Sequence, residues 1–298
     1  MRTDISVRFL FTLMNELIKI TVNSEYFNIE DTLSCGQTFR FKPFGNGFLV
    51  FSLDKCAYVY TDSENTVIEC ENTDKDYFYR YFDLERDYGE IYDFAVNSAH
   101  EIVKESAKIG KGIRILNQDK LETLFSFIVS QNNNIPRIKG IIEKLCFSLG
   151  EKKNFNGVEY YAFPSAKSLA EKDLEFFYSV GLGYRAPYIK RLAEITVNGF
   201  SVESFSSLDT PALKKALIGI YGVGPKVADC VTFFGYGRSD SFPVDTWIEK
   251  VYVENFKGKE KTRVKITEWF LREFKNYSGY IQQYLFYYKR SKEKDIKK

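Results

Sequence analysis

Apolar positions along this 298-residue chain change period near residue 75. Before it they come in short aromatic and β-branched runs between turn residues, the pattern of antiparallel strands. Phe39-Arg40-Phe41 alternates, Gly45-Asn46-Gly47 signals a turn, and Phe48 to Leu53 and Cys56 to Tyr60 follow as strands. A second turn over 61–65 precedes Thr66-Val67-Ile68. Beyond residue 75 the repeat lengthens to that of helices. Asp119-Lys120-Leu121-Glu122 reads as a capping box, opening a helix that lines up Leu121, Leu124, Phe125, Ile128 and Val129. Ile138, Ile141, Ile142 and Leu145 form the face of a next helix, which Pro136 suits at its start and Gly150 ends. Residues 151–163 read as a loop or small hairpin. Arg8 to Val22 is apolar but broken by Asn15, Glu16 and Lys19. It lacks a span of about 20 apolar residues and a signal-cleavage pattern, and part of it is expected as a strand or helix edge. Met14 is the more natural start, so residues 1–13 are left open as part of the native chain.

Leu213, Ala216, Leu217 and Ile220 share one face of a helix over 212–220. Gly222 and Gly224 then interrupt it, permitting positive φ and close backbone approach. Pro225 suits the first position of a second helix, from about Lys226 to Phe234, stopped by Gly235 and Gly237. This is a helix–hairpin–helix at about 212–235. The free N–H groups and dipole at its second N-terminus suit a DNA phosphate. Lys226 stands in that first turn, where burial and the dipole are both expected to lower its pKa and free its lone pair. Pro243-Val244-Asp245 then returns a carboxylate. A helix of about ten residues is roughly 15 Å long, and residues 237–244 span up to about 26 Å. Asp245 can therefore come back beside Lys226, and it can also cap the helix beginning Thr246-Trp247-Ile248. Singly, the lysine fits a phosphate or water contact and the aspartate a plain cap. In order with the hairpin they specify more.

Two other pairs carry chemistry. Lys226 and Cys230 are i, i+4, as are Gln282 and Phe286, so a polar and an aromatic group can line one pocket. That arrangement reads a base edge while stacking on its face. Cys230, Phe286 and Tyr184 also fit as core residues. The run Gln131 to Asn134 fits a loop that ends one helix and caps the next, although its amides favour base or phosphate contacts.

Composition narrows the classes. Net charge is only +2, so any basic surface for nucleic acid must be local. With His100 the single histidine, a histidine-based metal site or triad is not expected. Cys35, Cys56, Cys70, Cys146 and Cys230 are scattered and odd in number, which fits reduced intracellular thiols. Lys289 to Lys294 reads as a solvated, mixed-charge end. No internal repeat or low-complexity linker is present.

GVGPKVADC (222–230) followed by FPVDTW (242–247) resembles the helix–hairpin–helix base-excision DNA glycosylases, most of all the eukaryotic-type 8-oxoguanine DNA glycosylases. SCGQTFRF (34–41), LFSFIVSQNNNIPRI (124–138), GLGYRAPYI (181–189) and the Gln282–Phe286 pair match that family in order. Together they cover nearly the whole chain after about residue 25. The resemblance implies an α+β fold. An N-terminal antiparallel β-sheet domain (TATA-binding-protein-like), expected over 1–113, packs on a mostly helical glycosylase core over 114–298. It implies that Lys226 attacks C1′ of the damaged nucleoside and that Asp245 stabilises the developing positive charge. Gly36 would read the lesion through its carbonyl, Cys230 and Phe286 would sandwich the flipped base, and Gln282 would bond its Watson–Crick edge. Asn132 and Arg137 would contact the orphaned cytosine, Tyr184 would wedge into the stack, and Arg185 would supply a second cytosine contact. Gly222, Gly224 and Trp247 would lie on the DNA backbone.

The implied reaction is excision of 8-oxoguanine from duplex DNA by base flipping, then β-elimination at the abasic site through a Schiff base. The implied agent is an intracellular monomer (cytoplasm or nucleoid if bacterial), with no membrane partner and no required cofactor. A structural monovalent or calcium ion could sit on the carbonyls of Ile218, Ile220 and Val223. No cysteine follows Cys230, so the iron–sulfur cluster of some relatives is not expected. The chain departs from the family at Tyr221, Pro225, Trp247 and Pro136, which touches phosphate contacts and opposite-base choice. Excision of another damaged purine, and DNA binding without catalysis, are the alternatives. The second would need neither a buried amine nor a returning carboxylate.

Overall fold

A computed structural model describes residues 16–296; the expectation about residues 1–13 and Met14 lies outside them. Strand β1 (Leu17–Asn23) and helix α1 (Ile29–Ser34) lead into β2 (Phe41–Phe44), β3 (Gly47–Ser52), β4 (Lys55–Asp62) and β5 (Asn65–Glu71). Turns join β2 through β5 in an antiparallel meander, and β1 closes its far edge in the order β1-β5-β4-β3-β2. The edge pairing runs from Leu17 opposite Glu71 to Asn23 opposite Asn65. One face of the sheet buries Ile20, Val50, Val59 and Ile68 against Phe27, Leu33, and Phe78 and Tyr81 of α2 (Lys75–Tyr81). An antiparallel sheet usually leaves its other face wet. Here Leu49 and Cys56 on that face pack on Phe155 of a hairpin, β6 (Lys152–Phe155) and β7 (Val158–Tyr161). The segment 151–163 is thus the hairpin alternative, and it has a packing role.

The rest is helical: α3 (Tyr88–Val96), α4 (Glu101–Ile109), α5 (Lys120–Ser130), α6 (Ile135–Leu149), α7 (Ala166–Ala170), α8 (Leu174–Ser179), α9 (Ala186–Val197), α10 (Thr210–Ile218), α11 (Pro225–Phe234), α12 (Thr246–Phe256), α13 (Arg263–Phe274) and α14 (Ser278–Ile296). The chain is thus α+β, a five-stranded antiparallel sheet followed by a mostly helical core. α5 is buried on every side from Glu122 to Val129 and forms the centre. Although they precede residue 113, α3 and α4 give Tyr88, Ile91, Val103 and Ala107 to the same core as Ile281 and Leu285 of α14.

Three local expectations are corrected. Phe39 and Arg40 precede β2 rather than forming a strand, and both are buried. Arg40 is drawn inward because it pairs with Glu122 (Nη1 to Oε1, 3.2 Å) and donates to the carbonyls of Leu53 (3.0 Å) and Tyr161 (2.7 Å). Glu122 is thereby diverted from the capping box: its Oε2 accepts from Leu53 N at 2.6 Å, and Asp119 alone caps α5. The charged run from Lys289 is no free end. It continues α14, with Lys289 paired to Glu254 at 2.7 Å and Arg290 folded toward Phe286. All five cysteines are free and buried. His100 packs on Phe256 and bonds Glu273 at 2.8 Å, a structural setting. Among the described residues no helix is long and apolar enough to cross a membrane.

Candidate active site

The hairpin forms as the glycines dictate, with one change of assignment. α10 stops at Ile218 because the Gly219 N–H turns back to Lys215 and Ala216 carbonyls at 3.2 and 3.1 Å. Gly222 alone takes positive φ, +88°, and a Cβ there would stand 2.3 Å from the Tyr188 ring. Gly224 is extended at φ −93°, correcting the expected positive φ, and nothing lies within 4 Å of where its Cβ would be. It therefore leaves an open surface for a ligand. Gly224 caps α11 without a side-chain acceptor, so the first N–H groups of that helix keep no such partner.

In the first turn of α11 the chemistry begins. Lys226 Nζ lies 5.2 Å from the centre of the Phe127 ring, and Cys230 stands one turn on along the same recess. Asp245 returns as expected. Its Oδ1 accepts from the N–H groups of Trp247 and Ile248 at 3.0 Å each, which fixes it as the cap of α12. Lys226, Asp245, Cys230, Gly36, Gln282 and Phe286 all line one recess of about 50 Å³. Sequence reasoning missed Phe127, Pro243 and Gln283 on its walls. Gln283 fixes the Gly36 segment by donating to Cys35 O at 2.7 Å. Since one water occupies about 30 Å³, the recess holds a water or two and must open for a purine. A wider recess of about 790 Å³ between α10, α11 and α13 has Lys214, Lys215 and Lys275 on its walls. Lys214 is spent on an ion pair with the buried Asp229.

Electrostatics correct one expectation. Burial does favour the neutral amine, but Cys230, Asp245 and Asp229 outweigh it and hold Lys226 above the ordinary lysine value. Burial pushes the Cys230 thiol up to about 11, so at neutral pH the carboxylates are the charges that keep the ammonium. Asp245 is itself raised by burial, against the pull of the α12 N–H groups and of Lys226. The lysine is thus protonated in the free protein.

A second group of residues gathers beside the hairpin. Gln131 Nε2 donates to Gly222 O at 2.8 Å, joining the end of α5 to the turn. Asn132 is exposed with φ +45°, and Asn134 caps α6 by accepting from Arg137 N at 3.0 Å. The Arg137 side chain is exposed, with Nη2 donating to Gly181 O at 3.3 Å. Tyr184 is half exposed and reaches Gln131 O at 3.2 Å. Arg185 does not face outward as expected. It is buried, and its nitrogens donate to the carbonyls of Gln131, Leu182 (3.1 Å) and Asn132 (3.0 Å). An arginine so placed shapes the turn that presents Asn132. Trp247 is half buried on α12, under Lys250 at 5.5 Å.

Comparison with known proteins places the chain in a family. Residues 19–124 match the family model of the 8-oxoguanine DNA glycosylase N-terminal domain, and residues 125–276 that of the HhH-GPD superfamily base excision DNA repair proteins. A probable N-glycosylase/DNA lyase of Methanothermobacter thermautotrophicus is 31% identical over 225 residues, 69% of this chain and 71% of that protein. The structure of MBOgg1 with a low-affinity DNA ligand aligns at TM-score 0.87 and 38% identity, covering 92% of this chain and 96% of that one. Clostridium acetobutylicum 8-oxoguanine glycosylase/lyase, bound to duplex DNA with cytosine opposite 8-oxoguanine, aligns at 0.86 and 36%, covering 90% and 93%. The chain belongs to the HhH-GPD superfamily of base excision DNA repair proteins, with an 8-oxoguanine DNA glycosylase N-terminal domain ahead of its helical core.

Proposed function

We infer that this protein is a bifunctional DNA glycosylase that removes 8-oxoguanine from duplex DNA and cleaves the abasic strand. The observation that carries this is the meeting of Lys226, Asp245, Cys230, Gln282, Phe286 and Gly36 around one recess behind an open hairpin. The phosphate backbone lies on the bare N-terminus of α11 and on Gly224. The damaged nucleotide is flipped into the recess, where Phe286 and Cys230 cover its faces and Gln282 bonds its Watson–Crick edge. Lys226 gives up its proton, to which Asp245 is the available base, and its nitrogen attacks C1′. The bond from C1′ to N9 breaks, the base leaves with the bonding pair and takes the proton that Asp245 received, and the carboxylate so restored stabilises the positive charge on the sugar. The nitrogen lone pair then expels O4′, which takes a proton as the C1′–O4′ bond breaks and the sugar ring opens, leaving an imine between the amine and C1′. Loss of a proton from C2′ expels the 3′ phosphate and nicks the strand.

The division of labour follows the chain. The N-terminal unit, 1–113, contributes Gly36, and 114–298 contributes the rest of the site. Asn132 and Arg137 hold the orphaned cytosine and Tyr184 fills the gap in the stack, while Trp247 lies along the backbone. A monovalent or calcium ion fits the turn only in part. Ile220 O, one of the three carbonyls such an ion would use with those of Ile218 and Val223, already accepts from Val223 N at 3.0 Å. The enzyme acts as a monomer inside the cell, where duplex DNA is.

The test is direct. An 8-oxoguanine:cytosine duplex should lose its base and be nicked, and borohydride should trap a covalent adduct that Lys226→Gln abolishes. An undiminished adduct in that variant would move the nucleophile elsewhere, and excision confined to other purines would change the substrate.

A further inference from the structure

The last helix carries a guanidinium nitrogen, Arg290 Nη1, for which the described residues supply no hydrogen-bond partner. Arg290 lies one turn beyond Phe286 and two beyond Gln282, on the same face of α14. Its guanidinium carbon is 5.9 Å from the centre of the Phe286 ring. Its Nη1 is 3.3 Å from where a Cβ on Gly36 would stand. That nitrogen is buried and has no hydrogen-bond partner among the described residues. Its titratable neighbours are Cys35, whose thiol burial pushes up to about 11, and Tyr287, also raised. The Asp31 carboxylate on α1 accepts from the Tyr287 hydroxyl instead. A buried, idle donor on a charged group is costly, and the cost is recovered only when an acceptor arrives. Gly36 and Phe286, the neighbours of Arg290, line the recess assigned above to the flipped base.

The 8-oxoguanine reading defines that acceptor. If Gly36 O accepts from N7–H of the lesion, the neighbouring groups on the same edge are the carbonyl oxygens O6 and O8. We propose that Arg290 donates from Nη1 to one of these exocyclic oxygens, and so is a specificity residue that acts beside Gly36 while its plane rests on Phe286. The proposal rests on the substrate reading above.

Single-turnover excision of 8-oxoguanine and cleavage at a preformed abasic site test it, in wild type and in Arg290→Met, whose stem still covers Phe286. Excision is expected to fall at least about tenfold more than abasic cleavage, the scale of one lost charge-assisted hydrogen bond. Equal losses would overturn the proposal by placing Arg290 on the phosphate backbone or in the fold, and no loss would overturn it too. Should thermal unfolding show that Arg290→Met does not fold, Arg290→Lys keeps stem and charge but not the planar fork, and the same inequality is required. Wild-type protein that leaves 8-oxoguanine in place would remove the substrate reading and this proposal together, whereas active wild type with an unaffected variant removes this proposal alone.

Discussion

The side-chain amide of Gln131 donates to the backbone carbonyl of Gly222 at 2.8 Å, so the loop that ends α5 and presents Asn132 is tied to the hairpin ahead of α11. The bond spans two elements far apart in sequence, and Arg185 braces it by donating to Gln131 O. Gln131→Leu should cost about 1 kcal/mol of stability, the net worth of one hydrogen bond. Its larger effect should be on preference for cytosine over adenine opposite the lesion. Excision rates on the two duplexes check this; an unchanged ratio would show the loop holds its shape without the tie.

Asp245→Asn separates binding from chemistry. Asparagine caps a helix as well as aspartate does, so α12 should persist and lesion-DNA affinity should stay within a few fold. Base release should slow by about two orders of magnitude, the usual size of a lost charge-stabilising or acid–base group. The pH profile adds a sign. The active amine is neutral, and Asp245 helps hold Lys226 above the ordinary lysine value, so the wild-type rate should still be climbing at alkaline pH. Removing the carboxylate's charge should move that limb to lower pH. A limb that stays in place would show that other groups govern the amine, and near-wild-type rates would leave Asp245 as a cap alone.

How far the sequence reaches is clear from particular residues. The i, i+4 pairs Lys226–Cys230 and Gln282–Phe286 were legible because helix periodicity alone puts each pair on one face. The Gly-rich turn and the returning Asp245 were legible because glycine, proline and capping residues act locally. Arg290 was not. It looks like part of a solvated charged run, and only tertiary packing brings Gly36, from the first part of the chain, against it. Arg185 likewise resembles an outward contact until its carbonyl acceptors are in place. The direction of the Lys226 shift depends on three acids whose combined pull no local pattern reports.

The pair that joins the sheet to α5 should dominate stability. Arg40 and Glu122 are both buried, and burial already raises Glu122 despite the guanidinium beside it. Arg40→Met strands that carboxylate and removes donors from Leu53 and Tyr161 carbonyls. The expected loss is about 3–5 kcal/mol by denaturant unfolding, as for other broken buried pairs. A loss below about 1 kcal/mol, the scale of an exposed pair, would mean that water reaches Glu122.

Arg137 should set opposite-base choice. One nitrogen reaches Gly181 O at 3.3 Å, and the exposed side chain leaves the others for DNA. A guanidinium donates to cytosine's acceptors but does not match adenine's edge equally. Arg137→Met should therefore lower the cytosine-over-adenine preference in excision with little change in thermal stability. An unchanged preference would mean that Pro136, which sets the first turn of α6, has aimed the arginine away.

Gly36 is the position where backbone shape and lesion reading meet. Its φ of +86° favours glycine, and a Cβ there would stand 3.1 Å from Phe286 Cε1 and 3.3 Å from Arg290 Nη1. Alanine would thus strain the backbone, by roughly 1–2 kcal/mol for a left-handed residue, and would press on Phe286 and Arg290. Guanine and 8-oxoguanine differ at N7, an acceptor in the first and an N–H donor in the second. A carbonyl aimed there attracts the lesion and repels the normal base, a difference of about 1–3 kcal/mol when the group is buried. Gly36→Ala should weaken excision of 8-oxoguanine far more than it weakens binding to an abasic-site analogue, which has no base to read. Single-turnover excision and abasic-site affinity, measured on protein whose unfolding transition stays cooperative, make the comparison. Equal losses on both would mean that Gly36 only turns the chain ahead of β2.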